Sequence, residues 1–144
     1  MKTVLFVCVH NSGRSQMAEA FFNALTRGKA RAVSAGTKPA EQVNATVAAV
    51  MKEVGIDISR RKPKALTFEM MEKADRVITM GCGVEETCPA SFAPTEDWQL
   101  DDPEGRPIED VRKIRDDIRA RVAKLVRELM VPETPKNSAG AGER

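Results

Sequence analysis

Tyrosine is missing from these 144 residues, and all aromatics together amount to 4%, as five Phe and one Trp. There is a single His, and there are three Cys. Neither sign of charge prevails, since 23 Lys and Arg against 21 Asp and Glu leave a net charge of +2. A chain this near neutrality and this poor in aromatics lacks the basic, base-stacking surface of a nucleic-acid binder. No apolar run reaches membrane-spanning length. Met1–Val9 is apolar after Lys2, but it is too short for a signal-peptide core followed by a small-residue cleavage site. These shortages predict a cytoplasmic protein that binds neither nucleic acid nor membrane. Three cysteines without an export signal do not suggest a disulfide framework; reactive or buried thiols fit better.

What is present is an ordinary globular balance, 42% hydrophobic and 31% charged, at a length suited to one domain with one core. Thr3–Val7 is a continuous β-branched and aromatic run, as expected of a central strand covered on both faces. Ser15–Thr26 reads as a helix, with Met17, Ala18, Phe21, Phe22 and Leu25 on one side, Ser15 as its cap and Gly28 at its end. Ala30–Ser34 is a second strand, Asn44–Val54 a second helix and Leu66–Lys73 a short third one. Arg76–Met80 is a third strand. The segment from Gly81 to Asp97 has no clear period, and Trp98–Leu100 reads as a short fourth strand.

From Ile108 to Leu129 the apolar residues recur at steps of three and four, which is a long amphipathic helix. Beyond Pro132 the chain is polar and rich in small residues. We expect one domain over 1–130 and a polar tail over 131–144.

Strands alternating with helices give an α/β fold: a three-layer sandwich with a four-stranded parallel sheet, helices on both faces and an anion-binding loop after strand one. Ligands of such sheets bind beyond the C-terminal ends of the strands. Cys8 follows the first strand, Cys82 and Cys88 follow the third, and Asp102 follows the fourth. All the candidate reactive groups therefore gather at one sheet edge.

The loop is Cys8-Val9-His10-Asn11-Ser12-Gly13-Arg14-Ser15. A loop between a strand and a helix N-terminus presents unsatisfied N–H groups and the positive end of the helix dipole, which suits a tetrahedral oxyanion. Gly13 lets the backbone curl; Asn11, Ser12 and Ser15 can hold the curl by local hydrogen bonds. Arg14 can grip two oxygens as a fork. The same field favours a thiolate at Cys8, poised beneath the anion. His10 we read as an outward-pointing loop side chain. A Cys and an Arg at this spacing mean little alone; the strand before, the Gly/Ser/Asn content and the helix after supply the context.

The stretch from Cys8 through Arg14-Ser15-Gln16-Met17-Ala18-Glu19-Ala20 resembles the signature of arsenate reductases built on the low-molecular-weight protein tyrosine phosphatase fold. Ser34-Ala35-Gly36-Thr37, Gly55-Ile56-Asp57, and Trp98 with Asp101-Asp102-Pro103 are similar to that family in the same order, so the resemblance covers about Met1 to Leu129. The loop is shared with the phosphatases, whereas the pair Cys82 and Cys88 points to the reductase branch.

The resemblance implies roles. Cys8 attacks arsenate, held by Arg14 and the backbone of Val9 through Ser15, and Asp102 rather than Asp101 is the general acid. Cys82 then attacks Cys8, arsenite leaves, and Cys88 takes over the disulfide as Cys82–Cys88. A thioredoxin-like dithiol reduces that pair, with no tightly bound cofactor or metal. A helix over 82–88 would hold its ends about 9 Å apart, whereas a disulfide needs Cα atoms within about 7 Å. The segment should therefore change shape with redox state. Five residues separate Cys82 from Cys88, one fewer than in some relatives. Some relatives also bind potassium through groups matching Asn11, Glu19 and Ser34 with an acidic residue where Lys64 stands here. The ammonium of Lys64 can take the cation's place. Nothing in the pattern marks a dimer seam, so a monomer is expected.

Two other readings compete. A phosphatase needs only Cys8, Arg14 and Asp102, but it leaves Cys82 and Cys88 idle and finds no aromatic wall after Pro103. A zinc- or oxyanion-sensing module would have to use Cys82, Cys88 and His10, at an unusual spacing and without a fourth ligand.

Overall fold

Residues 2–80 and 95–130 are described by the computed structural model of the chain. Strand β1 (Lys2–Cys8) lies between β2 (Ala30–Gly36) and β3 (Arg76–Thr79), and β4 (Thr95–Asp97) pairs with the far side of β3. Every pairing is parallel, with Cys8 opposite Gly36 and Val4–Val7 opposite Arg76–Thr79. The continuous apolar run of β1 has a simple cause. Val4, Phe6 and Cys8 face the larger core with Phe22, Ile78 and Ile118, while Leu5 and Val7 face a thinner layer with Val77 and Met70. Alternate residues of a strand point to opposite faces, and both faces here are covered.

Helices α1 (Arg14–Thr26), α2 (Ala45–Glu53) and α4 (Ile108–Met130) contribute to the larger core, and α3 (Phe68–Lys73) covers the other face. The chain passes from β1 outward to β2, then back across β1 to β3. Such a reversal of strand order opens a crevice at the C-terminal end of the central strand. Cys8 ends that strand.

The expected α/β sandwich with a four-stranded parallel sheet is observed, with two local corrections. The fourth strand is Thr95–Asp97, not Trp98–Leu100. Its residues are exposed, as an edge strand allows, whereas Trp98 and Leu100 are buried in the core, the Trp98 N–H still donating to the Thr79 carbonyl of β3 at 2.7 Å. The Trp98 ring packs on Phe6 at 5.8 Å between centroids. Second, Ser15 does not cap α1. Gly13 occupies the cap position without a side-chain cap, and the Ser15 hydroxyl is used elsewhere. By contrast, Asn44 caps α2 by accepting from the Val47 N–H at 3.0 Å, and Thr67 caps α3 by accepting from Met70 N–H at 3.1 Å. Cys82 and Cys88 lie outside the described residues, as does the 131–144 tail.

Candidate active site

The loop from Cys8 to Arg14 is held from outside by the segment that follows β2. The carbonyls of Cys8, Val9, His10 and Ser12 accept hydrogen bonds from the N–H groups of Thr37, Lys38, Ala40 and Asn44 at 3.2, 2.8, 2.9 and 2.9 Å. In a trans peptide each carbonyl lies opposite the next residue's N–H. The N–H groups of Val9, His10, Asn11 and Gly13 therefore turn away from that segment, toward the concave side. Gly36 allows the close approach: a Cβ there would lie 2.6 Å from the Val9 carbonyl oxygen and 3.0 Å from Asn11 N.

Cys8 is buried at the base of this bowl, and two hydrogen bonds reach its sulfur. The Asn11 N–H donates at 3.2 Å, and the Ser15 hydroxyl lies at 2.8 Å. Asn11 sits at φ 52°, in the left-handed region that Asn tolerates better than most residues. Its buried side chain donates from Nδ2 to Ser15 Oγ at 2.7 Å. A Cys8 thiolate has no proton to give, so in that form the Ser15 hydroxyl is the donor of the pair. Two donors aimed at one sulfur suit an anion there.

Arg14 opens α1 and is buried, with Nη1 donating to the Leu100 carbonyl at 3.0 Å. The segment after β4 thus orients the guanidinium, anchored by the buried Trp98 and Leu100. Two residues on, Asp102 accepts from the Glu104 N–H at 3.0 Å, and Pro103 packs over Gly13. Cys8, His10, Ser12, Gly13, Arg14, Asp102 and Pro103 line one small pocket. Asp101 instead lines a separate depression with Arg106, whose Nη2 is 4.0 Å from its carboxylate. His10 is half-buried, with Nδ1 3.1 Å from the Lys38 carbonyl oxygen.

Behind the loop Glu19 is buried and carries two cations. Arg61 pairs with it closely, Lys64 Nζ lies 3.6 Å from Oε1, and Ser34 donates to Oε1 at 2.8 Å. Among the described residues no three His, Cys, Asp or Glu side chains gather as metal ligands, and no helix is long and apolar enough to cross a membrane.

A thiol beneath a ring of inward N–H groups, with an arginine and an aspartate at the rim, is suited to binding a tetrahedral oxyanion and attacking its central atom. The family model for low molecular weight phosphotyrosine protein phosphatases matches residues 3–134. The chain belongs to that family.

Within this phosphatase family, the chain is similar to the glutaredoxin arsenate reductase of Synechocystis sp., 40% identical over 133 residues that span 90% of this chain and 99% of the relative. Among solved structures it is similar to an arsenate reductase in the phosphate-binding state, with TM-score 0.79 and 40% identity over 89% of this chain and 98% of the other. It is also similar to a thioredoxin-dependent arsenate reductase from Corynebacterium glutamicum, with TM-score 0.77 and 35% identity over 90% of this chain and 62% of the other.

Sequence reasoning did not single out four parts of this family site: Gln16, Gly36, Arg61 and the Leu100 carbonyl. Gln16 and Gly36 stand within the stretches that resemble the family, but neither carried a role of its own there.

Proposed function

We propose that the protein reduces arsenate to arsenite through a relay of Cys8, Cys82 and Cys88. The observation that carries this reading is the Cys8 sulfur, hydrogen-bonded by Asn11 and Ser15 in a pocket shared with Arg14 and Asp102. The names of the relatives support arsenate as the oxyanion.

The Cys8 thiolate attacks As(V); a sulfur–arsenic bond forms and one arsenic–oxygen bond breaks. Asp102 supplies the proton with which that oxygen leaves as water. Arg14 and the amides of Val9 through Ser15 hold the remaining oxygens. The Cys82 thiolate then attacks the Cys8 sulfur. The sulfur–arsenic bond breaks with its electron pair staying on arsenic, which departs as As(III), and two thiols have become one disulfide. Cys88 attacks Cys82 and releases the Cys8 thiolate. The Cys82–Cys88 disulfide takes two electrons and two protons from a dithiol such as thioredoxin.

The enzyme works without a tightly bound cofactor, as a monomer in the cytoplasm. The Lys64 ammonium and the Arg61 guanidinium beside Glu19 support independence from potassium. Equal kcat/KM in potassium and sodium salts is the expected result, and a clear gain in potassium would refute it.

Single Cys→Ser variants, assayed with arsenate, thioredoxin, its reductase and a nicotinamide reductant, test the relay. Cys8→Ser should lose all activity. Cys82→Ser and Cys88→Ser should lose multiple turnover, and Cys88→Ser should keep slow phosphoester hydrolysis, which needs only the loop. Normal arsenate turnover by both would overturn the mechanism. Activity only with glutaredoxin and glutathione would reassign the reductant.

A second reading is a phosphatase working through a Cys8 phospho-intermediate. What favours it is that Cys8, Arg14 and Asp102 line the pocket without help from Cys82 or Cys88. Fast phosphoester hydrolysis with no arsenate-dependent oxidation of the nicotinamide would select it.

A further inference from the structure

The hydrogen bonds behind Cys8 have a polarity, and that polarity can be traced to its source. The backbone N–H of Lys64, which can only donate, points at Asn11 Oδ1 at 2.8 Å. The Asn11 amide is thereby oriented with Nδ2 toward Ser15. Ser15 Oγ accepts from Nδ2, and toward a Cys8 thiolate, which has no proton to give, its own proton is the donor. A flipped Asn11 amide would turn Oδ1 to Ser15 and draw that proton away, leaving lone pairs to face the sulfur.

A second group acts on the same oxygen. Gln16 is fully buried, and its Nε2 donates to Asn11 Oδ1 at 3.1 Å. Its other end is costly. Gln16 Oε1 is buried without a hydrogen-bond partner among the described residues. An unmade buried acceptor destabilises a fold, and an unbranched apolar side chain of similar size would fill the same space without that penalty. A glutamine kept here on packing grounds alone is therefore a poor choice; its donor end is what the site uses.

We propose that Gln16 is a positioning residue: with the Lys64 N–H it clamps the Asn11 amide, so that the Ser15 proton is held on the Cys8 sulfur. It touches neither the sulfur nor the pocket and acts only through Asn11 and Ser15. This rests on the reading of Cys8 as the attacking thiolate.

The test is the pH profile of Cys8 alkylation by iodoacetamide in the full-length protein, followed on the Cys8 peptide by mass spectrometry so that Cys82 and Cys88 do not contribute. Wild type is compared with Gln16→Met, Gln16→Glu, Ser15→Ala and the Ser15→Ala/Gln16→Met double variant. Gln16→Met should unfold in urea no earlier than wild type. Its alkylation profile should nevertheless move to higher pH, with a rate at about pH 6 lowered threefold to tenfold, the size of one net hydrogen bond. Gln16→Glu keeps the shape but presents a carboxylate to Asn11 Oδ1, and should move the profile at least as far. It carries the comparison if the methionine variant does not fold. On top of Ser15→Ala, Gln16→Met should add nothing, because the path to sulfur is already cut. A profile for both Gln16 variants that superimposes on wild type overturns the proposal, and so does an equal effect with and without Ser15. Wild-type Cys8 reacting like an ordinary surface thiol would instead remove the underlying reading of Cys8.

Discussion

At the scale of single residues, the site depends on side chains that are absent as much as on those present. Gly36 ends β2 directly behind the loop, and a Cβ there would meet the Val9 oxygen at 2.6 Å and the His10 carbonyl carbon at 3.0 Å. These are backbone atoms with their own hydrogen bonds, so they cannot yield as a flexible side chain would. Gly36→Ala should destabilise the fold by about 1–3 kcal/mol, the usual range for overpacking, seen as a lower urea midpoint. Because the strain falls on Val9 and Asn11, Cys8 alkylation should slow as well. Gly13 differs: its nearest neighbour is the Pro103 ring at 3.0 Å, so a side chain there would press on the turn that carries Asp102.

At the scale of elements, α2 and α4 are joined through their ends. The last carbonyls of a helix lack intrahelical partners. In α2 the Val50 carbonyl accepts from Arg115 Nη1 at 2.9 Å, and the Met51 carbonyl accepts from Val54 and Ile56 N–H at 3.1 Å. Arg115 also reaches Glu53 at 2.8 Å and Asp116 at 2.9 Å, and Arg112 grips Glu53 at 2.7 Å. Arg115→Met keeps most of the buried volume but orphans the Val50 carbonyl. It should lower the unfolding free energy by about 1–3 kcal/mol, measured by urea denaturation, with Cys8 reactivity unchanged.

The same contact makes an acid-sensitive seam. The guanidinium of Arg112, then that of Arg115, holds the Glu53 carboxyl below its usual range against the opposing effect of desolvation. A carboxyl lowered in the folded state contributes stability that is complete above its unfolded value and is lost as pH falls through the lower folded one. Urea midpoints of wild type and Glu53→Gln should differ at neutral pH and converge on acidification below the ordinary carboxylate range. Asp57, lowered by hydrogen bonds from Ser59, follows the same sign. A gap that widened on acidification would contradict this assignment.

At the scale of the whole molecule, the sheet order β2-β1-β3-β4 puts Cys8 between the C-terminal ends of β2 and β3, with β4 beyond β3. Arg14 and Asp102 reach the same pocket from segments 88 positions apart in the chain. The proposed relay adds the stretch between β3 and β4, where Cys82 and Cys88 stand. A disulfide between them requires Cα atoms within about 7 Å, closer than the roughly 9 Å that a helix over 82–88 would give. Amide exchange over 81–97 should therefore differ between reduced and oxidised protein, while β1 and α1 remain equally protected. Identical exchange in the two states would show that no such rearrangement accompanies the disulfide.

The α/β class was legible from residue types alone. The apolar run of β1, the helical recurrence in α4 and the turn-forming residues between elements each record a local preference. The anion loop was legible for the same reason, because Cys8 through Ser15 are contiguous and their chemistry is read in one stretch. Lys64 beside Glu19 was also anticipated, through likeness to a family rather than through pattern. The fourth strand was misplaced because Trp98 and Leu100 are apolar for the sake of the core, while Thr95–Asp97 form the ladder as exposed edge residues.

By itself, then, the sequence determined the α/β class, the parallel sheet and the place of the Cys8 loop after the first strand, all of which follow from periodicity and near neighbours. Only the tertiary structure decided that Ser15 serves Cys8 rather than capping its helix, that Leu100 holds Arg14, and that Asp102 faces the pocket while Asp101 faces Arg106. It also decided that Lys64 and Gln16 together orient Asn11. Each of these is a hydrogen bond, an ion pair or a pocket contact. Which donor meets which acceptor depends on where the packed backbone puts them, and no residue type carries that information alone.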